Sequence, residues 1–130
     1  MAVQSAKELM VYKKAFSLSM KIFEISITFP PEERYALTGQ IRRSSRSVCH
    51  NLREAWAKRM YEAHFLNKLT DCDGEINETD TALDFAFACK YIAKETHRSL
   101  VSECDEERKM LEAMIARPEP FLLIPIKVRS

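Results

Sequence analysis

Glycine is scarce in this sequence, with only two in 130 residues, and runs of β-branched residues are few. Both features disfavour a fold of β-strands joined by tight turns. No apolar run approaches the ~18 residues that a membrane span needs, and residues 1–8 lack the apolar core of a signal peptide. We therefore expect a single all-α domain in the cytoplasm, with no membrane contact.

The cysteines and histidines lack the spacing of a metal site. No C-x-x-C pair and no paired histidines accompany the four cysteines, which are Cys49, Cys72, Cys89 and Cys104. A di-iron centre in a helical bundle needs Glu-x-x-His motifs, but His64 and His97 each follow a glutamate by two residues, which places the pair on different faces. Glu75 and Glu78 share one helix side, where packing or salt bridging is favoured over catalysis. We expect no catalytic residues, no metal, no cofactor and no enzymatic activity.

Apolar residues recur with helical spacing in four segments. We predict helices at about 6–28, 32–57, 62–90 and 94–116. Ser5 and Glu8 predict a capping box at the start of the first helix, Pro30 and Pro31 separate the first from the second, and Pro118 ends the fourth. No Gly or Pro marks a turn between the second and third, so one long helix is the competing interpretation. Four amphipathic helices with short connections predict an antiparallel up-and-down four-helix bundle.

A proline-rich apolar tail, residues 118–130, follows the bundle predicted for residues 1–117. Its prolines prevent a continuous helix, yet its apolar residues are unusual for a solvated chain end. Three interpretations remain open: an arm that packs on a neighbouring subunit, a cover over its own bundle, or disorder.

The first predicted helix carries two adjacent sets of apolar residues. The first set is a core seam, made of Val11, Ala15, Leu18, Ile22, Ile25 and Phe29. The second set lies beside it and comprises Tyr12, Phe16, Met20, Phe23 and Ile27. Together they cover an arc of roughly 220°, about twice the width that one core-facing stripe needs. A helix central to its own bundle would explain this pattern, but we favour the second set as a subunit interface.

Charge is sorted along the chain. Residues 34–59 hold seven Lys/Arg against one acid, and residues 60–90 hold seven Asp/Glu against two Lys, so a net charge of +1 combines a block of +6 with a block of −5. Such blocks either mark helices that neutralise each other or a basic surface for a ligand. Their positions around each helix decide between these interpretations.

Helical phasing predicts that the basic block faces away from the core. Arg42, Arg46, His50 and Arg53 fall within an arc of roughly 100° opposite the apolar residues, with Arg43 at its margin. The acids of the third helix instead flank its apolar seam, at Glu62, Asp71, Asp73, Glu75, Glu78, Asp80 and Asp84. Because arginines that face outward from the second helix do not point toward these acids, we expect the arginines to contact another subunit or an external anion.

One long motif resembles a known signature. The run from Phe29 to Ser44, Phe-Pro-Pro-Glu-Glu-Arg-Tyr-Ala-Leu-Thr-Gly-Gln-Ile-Arg-Arg-Ser, is similar to the "FP-x-EER-Y-x-LT-x-QIRRA/S" pattern of a bacterial family encoded in intervening sequences of 23S rRNA genes. Further matches are Asn51, Glu54-Ala55, Glu75-x-x-Glu78-Thr79 and Tyr91-Ile92. The likeness covers about residues 9–116.

The resemblance implies a four-helix bundle, a closed homo-oligomeric ring, commonly a pentamer, and no established enzymatic activity. Relatives of that family include accessory proteins of diversity-generating retroelements, whose basic ring surface engages nucleic acid and a reverse transcriptase. The chain departs from the family at Val48–Asn51 and at Ala55–Ala57, where many members have Ile-Pro-Ala-Asn and Gly-x-Gly. These departures bear on the kink and the final turn of the second helix.

Two hypotheses follow from the basic surface. In the first, a non-enzymatic ring binds RNA or DNA phosphates through Arg42, Arg43, Arg46, His50, Arg53, Lys58 and Arg59. In the second, the protein is an interaction adaptor whose arginines meet the acidic edges of adjacent subunits, without a role for nucleic acid. The partners expected are other copies of the chain, and either nucleic acid or another protein.

Overall fold

Four α-helices make up the fold. The computed structural model describes residues 3–123 and contains no β-strand within that range. The helices are α1 (Met10–Ser26), α2 (Leu37–Ala57), α3 (Glu62–Ala88) and α4 (Lys94–Ala116). Three short 3-10 turns accompany them, at Ala6–Glu8, Pro31–Glu33 and Glu119–Phe121. The predicted all-α class is therefore confirmed, while the homo-oligomeric ring stays a prediction.

The helices pack in cyclic order around one core. In residues 3–123, α1 contacts α2 and α4, and α3 contacts the same two helices, with no close contact across the diagonals. Because short connections join neighbours that pack together, consecutive helices run in opposite directions. The contact between α2 and α3 is the most extensive. At its centre, two fully buried hydroxyls, those of Ser44 and Thr79, hydrogen bond to each other over 2.8 Å.

The first helix begins later than the predicted residue 6. Ser5 caps only the short turn, where its hydroxyl accepts a hydrogen bond from the backbone N–H of Lys7 at 3.2 Å. The chain is then extended at Leu9 before α1 starts. Leu9 and Ala6 are both buried, and their turn contacts α2. The contact of this turn with α2 and the burial of Ala6 and Leu9 thus replace the first helical turn that the local sequence favours.

The second helix also begins later than predicted, at Leu37 rather than near residue 32. The acids after the prolines lie in a 3-10 turn. One of them, Glu33, accepts hydrogen bonds from the Leu37 N–H at 3.3 Å and from the Tyr91 hydroxyl at 2.9 Å. This carboxylate therefore satisfies the start of α2 and ties it to the connection between α3 and α4.

One local and one long-range contact stabilise the turn between α2 and α3, which no Gly or Pro signals. Arg59 stacks its guanidinium 3.6 Å from the centre of the Trp56 ring and donates from Nε to the Trp56 carbonyl at 2.8 Å. From the other end of the chain, the Leu123 N–H donates to the Arg59 carbonyl at 3.0 Å. The interpretation of 32–90 as one long helix is therefore wrong.

The described part of the C-terminal tail covers its own bundle. Phe121 stacks on Phe65, which is almost completely buried, with 6.4 Å between the ring centres. Together with the hydrogen bond from Leu123, this contact seals the end of the bundle next to the α2–α3 turn. The remaining residues of the predicted tail, 124–130, lie outside the described range.

The end of α3 places a lysine where glycine is usual. Lys90 has φ 66°, in the left-handed region. The Tyr91 N–H donates to the Ala86 carbonyl at 2.8 Å, and the Lys90 N–H donates to the Phe87 carbonyl at 2.9 Å, which defines a Schellman motif. The left-handed conformation costs a side-chain-bearing residue about 1–2 kcal/mol.

We expect Lys90→Gly to stabilise the protein by on the order of 0.5–1 kcal/mol, because glycine removes this strain but loses more entropy on folding. Urea denaturation measures the change. Lys109→Gly is the matched control, since Lys109 is an exposed lysine inside α4, where glycine should cost roughly 1 kcal/mol. A Lys90→Gly protein that is no more stable than the wild type contradicts the expectation.

Candidate interaction faces on α1, α2 and α3

An apolar stripe on α1 is exposed in the single chain. The side chains of Phe16, Met20 and Ile27 are 53%, 48% and 57% exposed. Tyr12 and Phe23, the other two residues of the second apolar set, are half-buried. The core seam of α1 faces α2 and α4, so Phe16, Met20 and Ile27 point away from the core, whereas Tyr12 packs partly against it. The alternative of a helix buried on both sides by its own bundle therefore does not hold for the three exposed residues.

Two of the predicted basic residues lie against this stripe. Arg42 places its guanidinium 4.8 Å from the centre of the Phe23 ring and donates from Nε to the Ser26 hydroxyl at 2.7 Å. Arg46 lies 5.9 Å from the same ring and is exposed. Cations over an aromatic face gain roughly 0.5–1 kcal/mol at such sites. α1 and α2 thus form one surface that is both apolar and positively charged.

Further along α2, a shallow groove continues this surface. Its volume is about 300 Å³, and it is lined by Tyr12, Phe16, Ser19, Met20, Arg46, Cys49, His50 and Arg53. Arg46, His50 and Arg53 are exposed, and none of them forms an ion pair within residues 3–123. The groove therefore brings three predicted cationic residues beside three residues of the predicted subunit interface.

Arg43 departs from the expected outward orientation. Its guanidinium binds both oxygens of Glu75, at 3.2 and 3.3 Å, and one oxygen of Glu78 at 3.0 Å. Burial raises the pKa of Glu75, while hydrogen bonds from Glu75 and from Arg43 lower the pKa of Glu78. The close packing of α2 on α3 turns this arginine toward the acids, so the expectation that the basic residues miss them is wrong for Arg43.

Other ion pairs join helices of the bundle without joining a base of residues 34–59 to an acid of residues 60–90. Lys68 of α3 forms an ion pair with Glu54 of α2 at 3.0 Å. On the opposite edge of α3, Asp80 pairs with Arg108 of α4 at 3.0 Å. Within residues 3–123, the ion pairs between the basic and the acidic block are therefore those of Arg43 with Glu75 and Glu78, and surface pairs of this kind contribute little stability.

The last two predicted cationic residues belong to the α2–α3 turn. Arg59 is engaged by Trp56, and burial lowers the pKa of its guanidinium. Lys58 is half-buried at the C-cap of α2. These residues lie at the end of α2, beyond the groove, so the structure does not join them with Arg46 and Arg53 into one continuous face.

Three of the four cysteines are buried, whereas Cys89 is exposed. Burial raises the pKa of the thiols of Cys49, Cys72 and Cys104, that of Cys49 to about 12. Protonated thiols are poor nucleophiles. Glu75 and Glu78 share the guanidinium of Arg43. Within residues 3–123, no group of three or more His, Cys, Asp or Glu side chains is arranged to hold a metal ion, and no helix there is both long and apolar enough to cross a membrane.

Sequence reasoning missed a second groove, between the start of α2 and the outer side of α3. It has a volume of about 540 Å³ and is lined by Glu33, Ala36, Leu37, Gln40, Gly74, Asn77, Glu78, Thr81, Ala82, Phe85 and Cys89. Phe85 is 60% exposed within it. Phe85 follows the core residue Ala82 by three residues, about one helical turn, yet lies outside the predicted apolar seam of the third helix. This position is the sequence signal that could have revealed the groove.

A buried carboxylic acid was also missed. Glu107 is 1% exposed, and its Oε2 has no hydrogen-bond partner within the described residues. Burial raises the pKa of this carboxyl to about 8. The signal was present, because Glu107 occupies the core seam of α4 between Cys104 and Leu111, at the helical spacing of 3 and 4 residues.

These features define a small all-α protein with four helices, an apolar stripe and an adjoining cationic groove. The sequence profile of the 23S rRNA-intervening sequence protein family matches residues 7–113. The chain belongs to this family, which confirms the resemblance carried by the motif from Phe29 to Ser44. No curated protein matches the chain.

A solved structure has the same fold. It is the crystal structure of a protein of unknown function from the S23 ribosomal protein family of Bacteroides thetaiotaomicron. Its sequence is 29% identical, and the superposition has a TM-score of 0.73 over 82% of this chain and 95% of that chain. The similarity therefore extends over most of both chains.

Proposed function

We propose that the protein is a cytoplasmic, non-enzymatic scaffold that assembles with copies of itself through the apolar stripe on α1, with arginines of α2 at the edge of that contact. The observation that carries the proposal is the exposure of Phe16, Met20 and Ile27 in one row. Each would remove a large apolar surface from water on association, at roughly 25 cal/mol per Å². The predicted closed ring, commonly a pentamer in the proteins that this family includes, remains part of the proposal.

The arginines beside the stripe support a role in subunit contacts. Arg46 and Arg53 line the same groove as Phe16 and Met20, so a subunit that covers the stripe also covers or borders both guanidinium groups. Interfaces are enriched in arginine and aromatic residues and depleted in lysine. This surface has that composition, and it lacks a carboxylate partner for either arginine within residues 3–123.

Charge reversal tests this role. We expect Arg46→Glu together with Arg53→Glu to reduce the assembly mass at micromolar concentration, because acids at the contact edge lose their partner and meet like charge. Light scattering coupled to size-exclusion chromatography measures the mass. Arg98→Glu is the matched control, since Arg98 is exposed on α4, away from this surface. An assembly that keeps its wild-type mass with both reversals contradicts the role of these arginines.

A second candidate function is binding of RNA or DNA phosphates by the same groove. The specific observation in its favour is that Arg46, His50 and Arg53 are exposed together, and helix-borne arginines bind phosphates well. The affinity for a single-stranded oligonucleotide would then fall with salt, and Arg46→Gln with Arg53→Gln would reduce the salt slope by roughly 0.7 per lost contact. Filter binding gives this slope. Loss of nucleic-acid binding at unchanged assembly mass would favour this function over subunit contacts.

A further inference from the structure

The α2–α3 groove is apolar inside and open to solvent. Leu37, Ala82 and Phe85 contribute its apolar wall, and Phe85 alone is 60% exposed. At Gly74, the space that a Cβ would occupy has no neighbouring atom within 4 Å. α3 packs only on α2 and α4 within residues 3–123, so no other element of the chain covers the groove. A surface of this kind on a helical protein suits the apolar face of another helix.

Acidic groups edge this groove and are held in place. Glu33 is fixed by the Leu37 N–H and the Tyr91 hydroxyl. Glu78 is fixed by Arg43 and by the Gln40 amide at 3.2 Å. Glu75 and Glu78 share one guanidinium, that of Arg43, and Glu33 forms no ion pair within residues 3–123. The edge of the groove is therefore acidic, whereas the edge of the α1 stripe is cationic.

We infer that the α1 stripe of one copy packs into the α2–α3 groove of a second copy. The two surfaces are complementary in both respects: large apolar side chains meet an apolar groove, and Arg46 and Arg53 meet the edge formed by Glu33 and Glu78. Complementary charges across an interface set its orientation and exclude wrong pairings. The inference rests on the proposed self-assembly and names the surface that the stripe contacts.

Contact of two α1 stripes with each other fits the charges less well. A symmetric pairing would bring the cationic edges of two copies together, with Arg46 and Arg53 of one facing those of the other. Like charges in such an arrangement are costly. The pairing of stripe with groove uses two different surfaces and is therefore heterologous. Each copy offers one of each, so association continues from copy to copy and ends when a ring closes.

Complementation of two defective proteins tests the pairing. The stripe variant carries Phe16→Glu and Met20→Glu, and the groove variant carries Phe85→Lys. All three residues are exposed, so circular dichroism and the thermal midpoint should stay close to wild type. We expect each variant alone to be a monomer of about one chain mass, 15.1 kDa. A 1:1 mixture should form a heterodimer and nothing larger, because one intact stripe and one intact groove remain.

A matched control uses the other exposed phenylalanine of this end of α3. Phe87 is 39% exposed and stacks on His97, outside the groove. Phe87→Lys should leave the assembly mass at the wild-type value. Light scattering on the four proteins and on the mixture gives all the masses needed.

The outcomes separate the inference from the function on which it rests. A groove variant that assembles like the wild type overturns the inference and leaves assembly through the stripe intact. Two monomeric variants that form no heterodimer on mixing also overturn the pairing. If the stripe variant assembles like the wild type, or if the wild type is itself a monomer, the proposed self-assembly fails.

Discussion

Replacing Glu107 by methionine is expected to stabilise the protein increasingly as the pH rises, with a gain that grows by about 3 kcal/mol between pH 5 and pH 8. The carboxyl of Glu107 is buried, and burial raises its pKa from 4.5 to about 8. The folded chain therefore retains a proton that the unfolded chain releases above pH 4.5. The free energy of unfolding of the wild type therefore falls as the pH rises from 5 to 8. The methionine variant has no carboxyl at this position, so its stability lacks this decrease.

The charges around Glu107 do not remove this cost. Burial is the largest influence, Glu103 raises the pKa further, and Lys14 and Arg108 lower it. Those two cations are engaged elsewhere, Lys14 with Glu106 at 2.7 Å and Arg108 with Asp80. Methionine fills a similar volume and leaves no buried oxygen without a partner, which removes a penalty of roughly 1–3 kcal/mol.

Urea denaturation at pH 5, 6, 7 and 8 tests the pH dependence. Glu112→Met is the control, because Glu112 is an exposed glutamate on the same helix. The free energy of unfolding of Glu112→Met should change with pH in the same way as that of the wild type. If the profiles of Glu107→Met and the wild type run parallel from pH 5 to pH 8, Glu107 does not titrate in this window and the expectation is wrong.

Phe65→Ala is expected to cost about 4 kcal/mol of unfolding free energy. Phe65 is 1% exposed and fills the core at the beginning of α3. Truncation of a buried phenylalanine typically costs about 3–5 kcal/mol, since the cavity closes only in part. The ring also supports Phe121, so its loss should loosen the contact of residues 119–123 with the α2–α3 turn.

A double-mutant cycle with Phe121→Ala isolates this second effect. Aromatic pairs contribute roughly 0.5–1.5 kcal/mol beyond burial, so the two truncations together should cost less than the sum of their separate effects by about that amount. Phe87→Ala serves as the control, because Phe87 is a partly exposed residue of the same helix. Fully additive effects would show that Phe121 does not depend on Phe65.

Much of the helical architecture could be predicted because helical periodicity is a local property. The spans at α3 and α4 agree closely with the predicted 62–90 and 94–116, since their apolar seams and Pro118 lie in the sequence itself. The starts of α1 and α2 were less predictable. The turn before α1 contacts α2, and Glu33 accepts a hydrogen bond from Tyr91, 58 residues further on, so both boundaries depend on contacts between distant parts of the chain.

The candidate site was predictable as a set of residues but not as a surface. Phasing around α2 correctly places Arg46, His50 and Arg53 at the solvent, and the stripe of α1 follows from its unusually wide apolar arc. Phasing alone could not separate Arg43, which binds Glu75, from Arg42, which lies over Phe23. Adjacent residues on a helix point about 100° apart, and which neighbouring helix each one meets depends on packing.

The sequence by itself determined the four helices, the family and the presence of an apolar stripe that the chain's own core does not need. These are consequences of residue order, because spacing along one helix sets its faces. Only the tertiary structure decided which cations remain without a carboxylate partner, that Oε2 of Glu107 has no hydrogen-bond partner within residues 3–123, and that a groove with an apolar wall and an acidic edge lies between α2 and α3. Each of these features depends on contacts between side chains of different helices. Such contacts determine how far a side chain is removed from water and which charges lie next to it.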